Sequence, residues 1–361
     1  MRSDGAASRR AKFTPEEARE VLGAFAVPVP KRVREYRRGS ARSAKAIVDC
    51  VDASRYLLKR RDLAGAGADR VTFCHAVHAE LARLRFPVPR IVPVRATGAT
   101  WLERGSIVYE LFEFIDGQPF DRSLGGALEA GQLLARWHRT LEGWAPPAAE
   151  AASLYHRARA VGLAWARLRS PESPLAGRHG ELASALSELE ERMGAAASRT
   201  DDHVPIPGTV ARAHVLHGDF HPGNVLYHAG FPTAVLDLDS VHLGHRVLDV
   251  ANAAMQFALD PLGDGDEASW PVAVSMPRLE AFLRGYAVTP SLRLGPGDAA
   301  ALPALMVEAS IAESVPRIAR TGMFGPIDGA AFLRHVNRKT AALWERRDAL
   351  ATLCQRCMDS A

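Results

Sequence analysis

Apolar residues recur with two different periods along this chain, and the change of period divides it. Thr14-Pro15-Glu16-Glu17 has the form of a helix start: a capping Thr, Pro at the first helical position, acids in the first turn. The helix it opens runs to about Gly23. From Val33 to Arg60 the pattern is that of strands, at Val33–Tyr36, Lys45–Val51 and Arg55–Lys59, the last two separated by the turn-forming Asp52-Ala53-Ser54. A polar loop, Arg37 to Ser43, joins the first two. Phe73, Val77, Leu81 and Leu84 then recur at helical spacing and predict a helix over about Val71–Arg85, which Pro87 and Pro89 end. Strands are predicted at Arg90–Val94 and Ile107–Phe114, giving, after the opening helix, five strands with one helix among them before Asp116-Gly117.

Beyond Gly117 the helical period dominates. Leu124–Leu141, about 154–169 and 180–195 carry periodic apolar positions, and Pro205 and Pro207 close this stretch. Short strand-like runs follow at His214–Leu216, Val225–Leu226 and Ala234–Leu238. From Val247 onward helices return, broken near 260–267, 288–297 and 324–328. Residues 1–12 read as a disordered tail rich in Arg, Ser and Ala. The chain contains no internal repeat.

Composition narrows the class. With 361 residues, 47% hydrophobic and 24% charged, the chain is an ordinary globular protein too long for one small core. The N-terminus is polar and basic, without the apolar segment of a secretory signal, and no run of 18 apolar residues occurs, so a cytoplasmic protein without membrane association is expected. The excess of 45 basic over 41 acidic residues is mild and spread out, which argues against a nucleic-acid partner. One local cluster, Arg37, Arg38, Arg42 and Lys45, is either a solvated hairpin face or a contact for an anionic ligand. Four cysteines are too few for a disulfide framework, and Cys354-x-x-Cys357 lacks the second ligand pair a zinc site needs.

Candidate chemistry concentrates in His217-Gly218-Asp219-Phe220-His221-Pro222-Gly223-Asn224, followed by Val225-Leu226 and then by Leu236-Asp237-Leu238-Asp239. Phosphoryl transfer needs an acid to orient an attacking hydroxyl, oxygen ligands for magnesium on the nucleotide phosphates, and a cation to fix those phosphates. Asp219 precedes Asn224 by five positions, with Gly and Pro between them, so one loop can aim a carboxylate and an amide into the same cleft. Asp237 follows a second apolar run. Strand alternation would put Asp239 on the same face as Asp237, either as a metal ligand or as a partner of the loop.

HGDFHPGNVL followed by VLDLDS resembles the aminoglycoside phosphotransferase and choline kinase superfamily, in particular its homoserine kinase-like and stress-response Ser/Thr kinase-like branch. The resemblance implies an α+β, two-lobed, protein-kinase-like fold. A small N-terminal antiparallel lobe with one key helix, residues 13–115, would bind nucleotide, and a large, mainly helical lobe, 116–361, would hold catalysis and the acceptor. It implies ATP and magnesium as cofactors, Asp219 as catalytic base, and Asn224 and Asp237 as magnesium ligands, with Asp239 beside them. It makes Lys59 the phosphate-binding lysine, with Glu80 on the helix stripe as its ion-pair partner. It also implies backbone contacts from Glu113 and Ile115 to adenine and from the loop around Gly39 and Ser40 to the phosphates. Asp249, in RVLDVANA, would brace the loop, and His138, His217 and His221 would be scaffold.

The reaction so expected moves the γ-phosphate of ATP to a hydroxyl of a small metabolite: an amino alcohol, an aminoglycoside, a homoserine-like compound or a sugar. Only eleven residues separate Asp237 from Asp249, too few for the peptide-docking segment of a protein kinase. Arg246, Arg317 and Arg320 are candidates for an anionic group on the acceptor. The alternatives are a Ser/Thr protein kinase of the same superfamily, a metal-dependent phosphohydrolase built on H-x-D-x-H, and a catalytically silent nucleotide-binding regulator.

Overall fold

The structure is a computed structural model that describes residues 11–37, 43–63, 67–144, 155–204 and 214–359. Its chain divides into two compact units. The first takes the described residues of Met1–Gly117 together with Ala234–Asp239, and the second takes most of the rest.

In the first unit, helix α1 (Pro15–Gly23) opens on the expected capping box, in which Thr14 and Glu17 exchange side-chain to backbone hydrogen bonds. The sheet comprises β1 (Pro30–Glu35), β2 (Lys45–Cys50), β3 (Arg55–Asp62), β4 (Leu102–Arg104) and β5 (Ile107–Glu113), with helix α2 (Gly67–Arg83) between β3 and β4. Its order is β1-β2-β3-β5-β4, every neighbouring pair antiparallel. Val21, Leu22 and Phe25 pack with Val48, Leu58, Tyr109 and Leu111 into one apolar core. The expected strand at Arg90–Val94 is not formed. Its residues make only single bridges, Ile91 to Phe112 and Val94 to Phe25, because Pro93 lacks the N–H that a ladder requires. The fifth strand is instead Leu102–Arg104.

The second unit is mainly helical: α3 (Leu124–Thr140), α4 (Arg159–Arg169) and α5 (His179–Thr200) come before its short strands. Those are β6 (His214–Leu216), β7 (Val225–His228), β8 (Phe231–Val235) and β9 (His242–Gly244), with β6 antiparallel to β9 and β7 paired with β8. Then follow α6 (Val247–Ala258), α7 (Met276–Ala287), α8 (Pro296–Thr321), a two-stranded hairpin of β10 (Met323–Phe324) and β11 (Ile327–Asp328), α9 (Gly329–Glu345) and α10 (Arg347–Asp359). Helices α3 and α7 cross in intimate contact through two glycines. A Cβ on Gly131 would lie 2.0 Å from the carbonyl oxygen of Phe282, and one on Gly285 would lie 2.0 Å from that of Leu128. Phe220, Phe257 and Phe282 stack in series beneath the loop between β6 and β7. Cys354 and Cys357 are buried, unbridged residues of α10. Among the described residues no helix is long and apolar enough to cross a membrane.

Candidate active site

The loop from His217 to Asn224 is held from below by one buried carboxylate. Asp249, near the start of α6, accepts the His217 N–H at 2.7 Å and the Gly218 N–H at 2.8 Å. Its third partner is His138 of α3, at 3.2 Å, whose other ring nitrogen meets the Tyr286 hydroxyl at 2.9 Å. Burial opposes the charge of Asp249, but the hydrogen bonds and His138 outweigh it and hold its pKa below the usual carboxylate value. Gly218 needs its missing side chain: its φ is +75°, and a Cβ would sit 2.3 Å from the Ser240 carbonyl oxygen. Phe220 anchors the middle of the loop in the aromatic stack, which leaves the neighbouring Asp219 half-buried with its carboxylate toward solvent. Asn224 donates from its amide nitrogen to the Asp219 carbonyl at 2.9 Å and to the Asp219 carboxylate at 3.3 Å.

Polar groups flank this loop that no local motif announces. Tyr155 donates its hydroxyl to the Gly218 carbonyl at 2.6 Å and accepts from the Asn252 amide at 3.0 Å. The Glu313 carboxylate of α8 lies 3.5 Å from the same hydroxyl and accepts from Gln256 at 2.8 Å. Burial raises the pKa of Glu313, and the negative charge of Asp219 raises it further, so the two acids share one neighbourhood. Asp249, Asn252 and Gln256 reach these partners from one helix because spacings of three and seven residues return to one face.

In the first unit, charges alternate in sign along a chain of contacts. Glu110, fully buried on β5, accepts two hydrogen bonds from Arg61 at 2.6 Å each and one from His75 at 2.6 Å. Arg61 also donates to Asp239 at 2.7 Å. Asp239 is ion-paired with Lys59, which reaches Asp237 at 3.3 Å, and Asp237 in turn is 3.4 Å from Lys45. Burial would lower the pKa of Lys59, but the charges of Asp239 and Asp237 win and raise it. Asp237 is held below the usual carboxylate range by Lys59 against the cost of burial, with Lys45 adding to the effect.

Several expectations need correction. Glu80 does not pair with Lys59; it is engaged by Arg83, three residues along α2, at 2.7 Å. The acid facing Lys59 across the sheet is Glu110, its directly opposite residue on β5. Alternation does not align Asp237 with Asp239, because β8 ends at Val235. Asp237 takes the left-handed conformation, with φ +58°, and Asp239 lies in a single turn of 3-10 helix, Leu238–Ser240. Both carboxylates nevertheless reach Lys59. At the end of β5, Glu113 donates its backbone N–H to the Arg90 carbonyl at 2.8 Å, and Ile115 follows, half-buried, beyond the strand. Gly39 and Ser40 lie outside the described residues. Arg246 spends its guanidinium on the Leu292 and Arg293 carbonyls, at 2.6 and 3.1 Å, and Arg317 covers the Phe324 ring.

Glu110 had a readable signal: a lone acid in the apolar run Ile107–Phe112 is costly to bury and demands a partner. Arg61 falls two residues beyond Lys59, hence on the same strand face. Tyr155 and Glu313 had none, being joined to the loop only through tertiary packing.

A five-stranded antiparallel sheet carrying a buried lysine, followed by a helical unit carrying a braced Asp-Asn loop, defines a kinase-like phosphotransferase fold. The family model described as "Phosphotransferase enzyme family" matches residues 32–295, and the chain belongs to that family. No protein with a curated description matches it. Among solved structures, it is similar to an amicoumacin kinase in complex with AMP-PNP, Ca2+ and Ami, at 13% identity over 94% of each chain and a TM-score of 0.65. An aminoglycoside phosphotransferase from Alicyclobacillus acidocaldarius is 15% identical over 99% of each chain, with a TM-score of 0.63. A microcompartment-associated aminopropanol kinase is 16% identical over 92% of this chain and 98% of its own, with a TM-score of 0.66. At these identities the structural likeness speaks for the fold, and membership of the family makes the chain a phosphotransferase.

Proposed function

We propose that this protein is an ATP- and magnesium-dependent kinase that phosphorylates a hydroxyl group of a small metabolite. The observation that carries the reading is the Asp219 carboxylate, presented toward solvent by a loop whose backbone is clamped by Asp249 and whose Asn224 is turned against it. Asp219 orients the acceptor hydroxyl and takes its proton as the hydroxyl oxygen bonds to the γ-phosphorus. The bond from that phosphorus to the β–γ bridging oxygen breaks, and ADP leaves. The donor set suits magnesium, a hard cation that prefers oxygen: an ionised carboxylate at Asp237 and the amide oxygen of Asn224, whose nitrogen is engaged within the loop. When bound, magnesium supplies charge neutralisation on the nucleotide phosphates. Lys59 binds those phosphates, and the Glu113 carbonyl and Ile115 N–H hold adenine.

A small acceptor is supported by the stretch from Asp237 to Asp249, which is occupied by one helical turn, the strand β9 and the start of α6. No peptide-docking segment fits there. The carboxylate of Glu313 beside Asp219, with Arg246 committed elsewhere, favours an acceptor bearing an amino group over an anionic one. The test is ATP consumption by the purified protein across a panel of hydroxyl compounds rich in amino alcohols, repeated with Asp219→Asn. Turnover on a panel member should fall on the order of a hundredfold or more in the variant, while magnesium-ATP binding survives. Asp219-dependent labelling of proteins, with none of small molecules, would sink this reading in favour of a protein kinase.

A further inference from the structure

Lys45 is a costly residue where it stands. Its side chain is only 10% exposed, and a lysine on a strand ordinarily runs its ammonium out to water. It lies directly opposite Lys59 in the β2–β3 ladder, so the two side chains leave the same face of the sheet side by side. Two like charges in that relation repel unless an anion lies between them. Asp237 is that anion: one carboxylate oxygen is 3.3 Å from the Lys59 ammonium and the other 3.4 Å from that of Lys45. Both oxygens through which Asp237 would ligate a metal are therefore covered by ammonium groups. Asp237 also sits at φ +58°, a conformation that an L-residue adopts at a cost and that Asp tolerates better than most. The backbone thus aims this carboxylate between the two lysines.

The two cations are not equally committed. Lys59 is tied a second time, to Asp239, which Arg61 holds in turn, and Arg61 is itself held by the buried Glu110. Lys45 has Asp237 as its recorded ion-pair partner among the described residues. Arrival of a polyphosphate with its own cation would offer Lys45 a new anion and Asp237 a new cation at once. Lys59 would keep Asp239 throughout.

We propose that Lys45 is a second phosphate-binding residue, which in the nucleotide-free protein caps Asp237 against free metal and moves to the phosphates when the metal–nucleotide complex binds. This rests on the kinase reading above. It makes metal binding conditional on nucleotide: the divalent cation enters as a nucleotide complex, because only the phosphates draw Lys45 off the carboxylate.

A purely structural lysine and a phosphate-binding cap predict different signs. The experiment compares wild type with Lys45→Met in two titrations: Mn2+ alone, followed by electron paramagnetic resonance, and magnesium-ATP, followed by calorimetry. The expected result is opposite movement, with Mn2+ alone bound more tightly and magnesium-ATP more weakly, each on the order of tenfold, the equivalent of one ion pair of about 1.4 kcal/mol. Lys45→Arg, which keeps the charge, should restore both, and if the Met variant does not fold, Lys45→Gln, which also removes the charge, carries the test with the same two expected signs. Weakening of both ligands by Lys45→Met, or no change in either, overturns the proposal, as does tighter Mn2+ binding with ATP affinity untouched. Wild-type protein that binds no ATP with any metal overturns the kinase reading itself, and this inference with it.

Discussion

Buried charges decide most of what individual residues do in this protein. Glu110 shows the logic: a carboxylate with no solvent exposure is tolerable only if cations and hydrogen bonds replace its water, and Arg61 and His75 supply them. Burial alone would raise its pKa, yet the His75 hydrogen bond and the charges of Lys59 and Arg61 lower it from 4.5 to about 2. A depressed acid stabilises the fold fully above its unfolded pKa and loses that contribution as pH falls toward its folded one. For Glu110 the window runs from 4.5 down to about 2. Glu110→Gln is therefore expected to cost about 3 kcal/mol at neutral pH, and the gap from wild type should close as pH falls through that window. Urea unfolding of both proteins at pH 7 and near pH 3 measures it; a gap independent of pH would show that packing, not charge, is what Glu110 contributes. The contrast with Glu80 is instructive. Helix periodicity placed that acid on the expected stripe, but an arginine one turn away offered a partner without burial, and the pair formed there.

Secondary elements act here as carriers of spacing. Helix α6 presents Asp249, Asn252 and Gln256 on one face, and so serves the backbone of the loop, Tyr155 and Glu313 at once. Helix α3 brings His138 to Asp249 only because α7 lets it approach, through Gly131 and Gly285. Gly285→Ala places a methyl group 2.0 Å from a backbone oxygen, and neither helix can give way cheaply. The expected loss is about 2 kcal/mol or more, seen as a lower urea midpoint. Gly162→Ala in α4 has nothing within 4 Å of the new methyl, and should be neutral or stabilising by up to about 1 kcal/mol. Equal losses in the two variants would mean that the helix crossing is not what constrains Gly285. Pro93 makes the same point in the sheet: the apolar run around it reads as a strand, and the missing N–H prevents one.

Taken as a whole, the molecule holds its chain of lysine, arginine and carboxylate pairs in the first unit and its braced Asp-Asn loop in the second, and the segment Ala234–Asp239 belongs with the first although the chain reaches it long after the sheet is complete. Asp237→Ala tests what that return is for. It removes a proposed metal ligand and at the same time frees Lys59 and Lys45 for phosphate. ATP binding measured calorimetrically with magnesium is expected to weaken on the order of tenfold or more, while binding without metal holds or tightens. Equal losses in both conditions would place Asp237 among the structural residues.

The local grammar of this chain was legible from its residues alone. The capping box of α1, the strands β2, β3 and β5, the helix α2 that follows β3 and the helical character beyond Gly117 all follow from periodicity and turn chemistry, which act over a few residues. So does the Asp219–Asn224 loop, because five positions with Gly and Pro between them suffice to bring an amide to a carboxylate. Tertiary structure alone decided which charges face each other. Lys59 meets Asp237 across 178 positions, and Tyr155 meets Glu313 across 158. No spacing rule spans such distances. A charge leaving water takes the counter-charge that packing brings within reach, and the choice of Asp237 and Glu110 over Glu80 was made by the folded core.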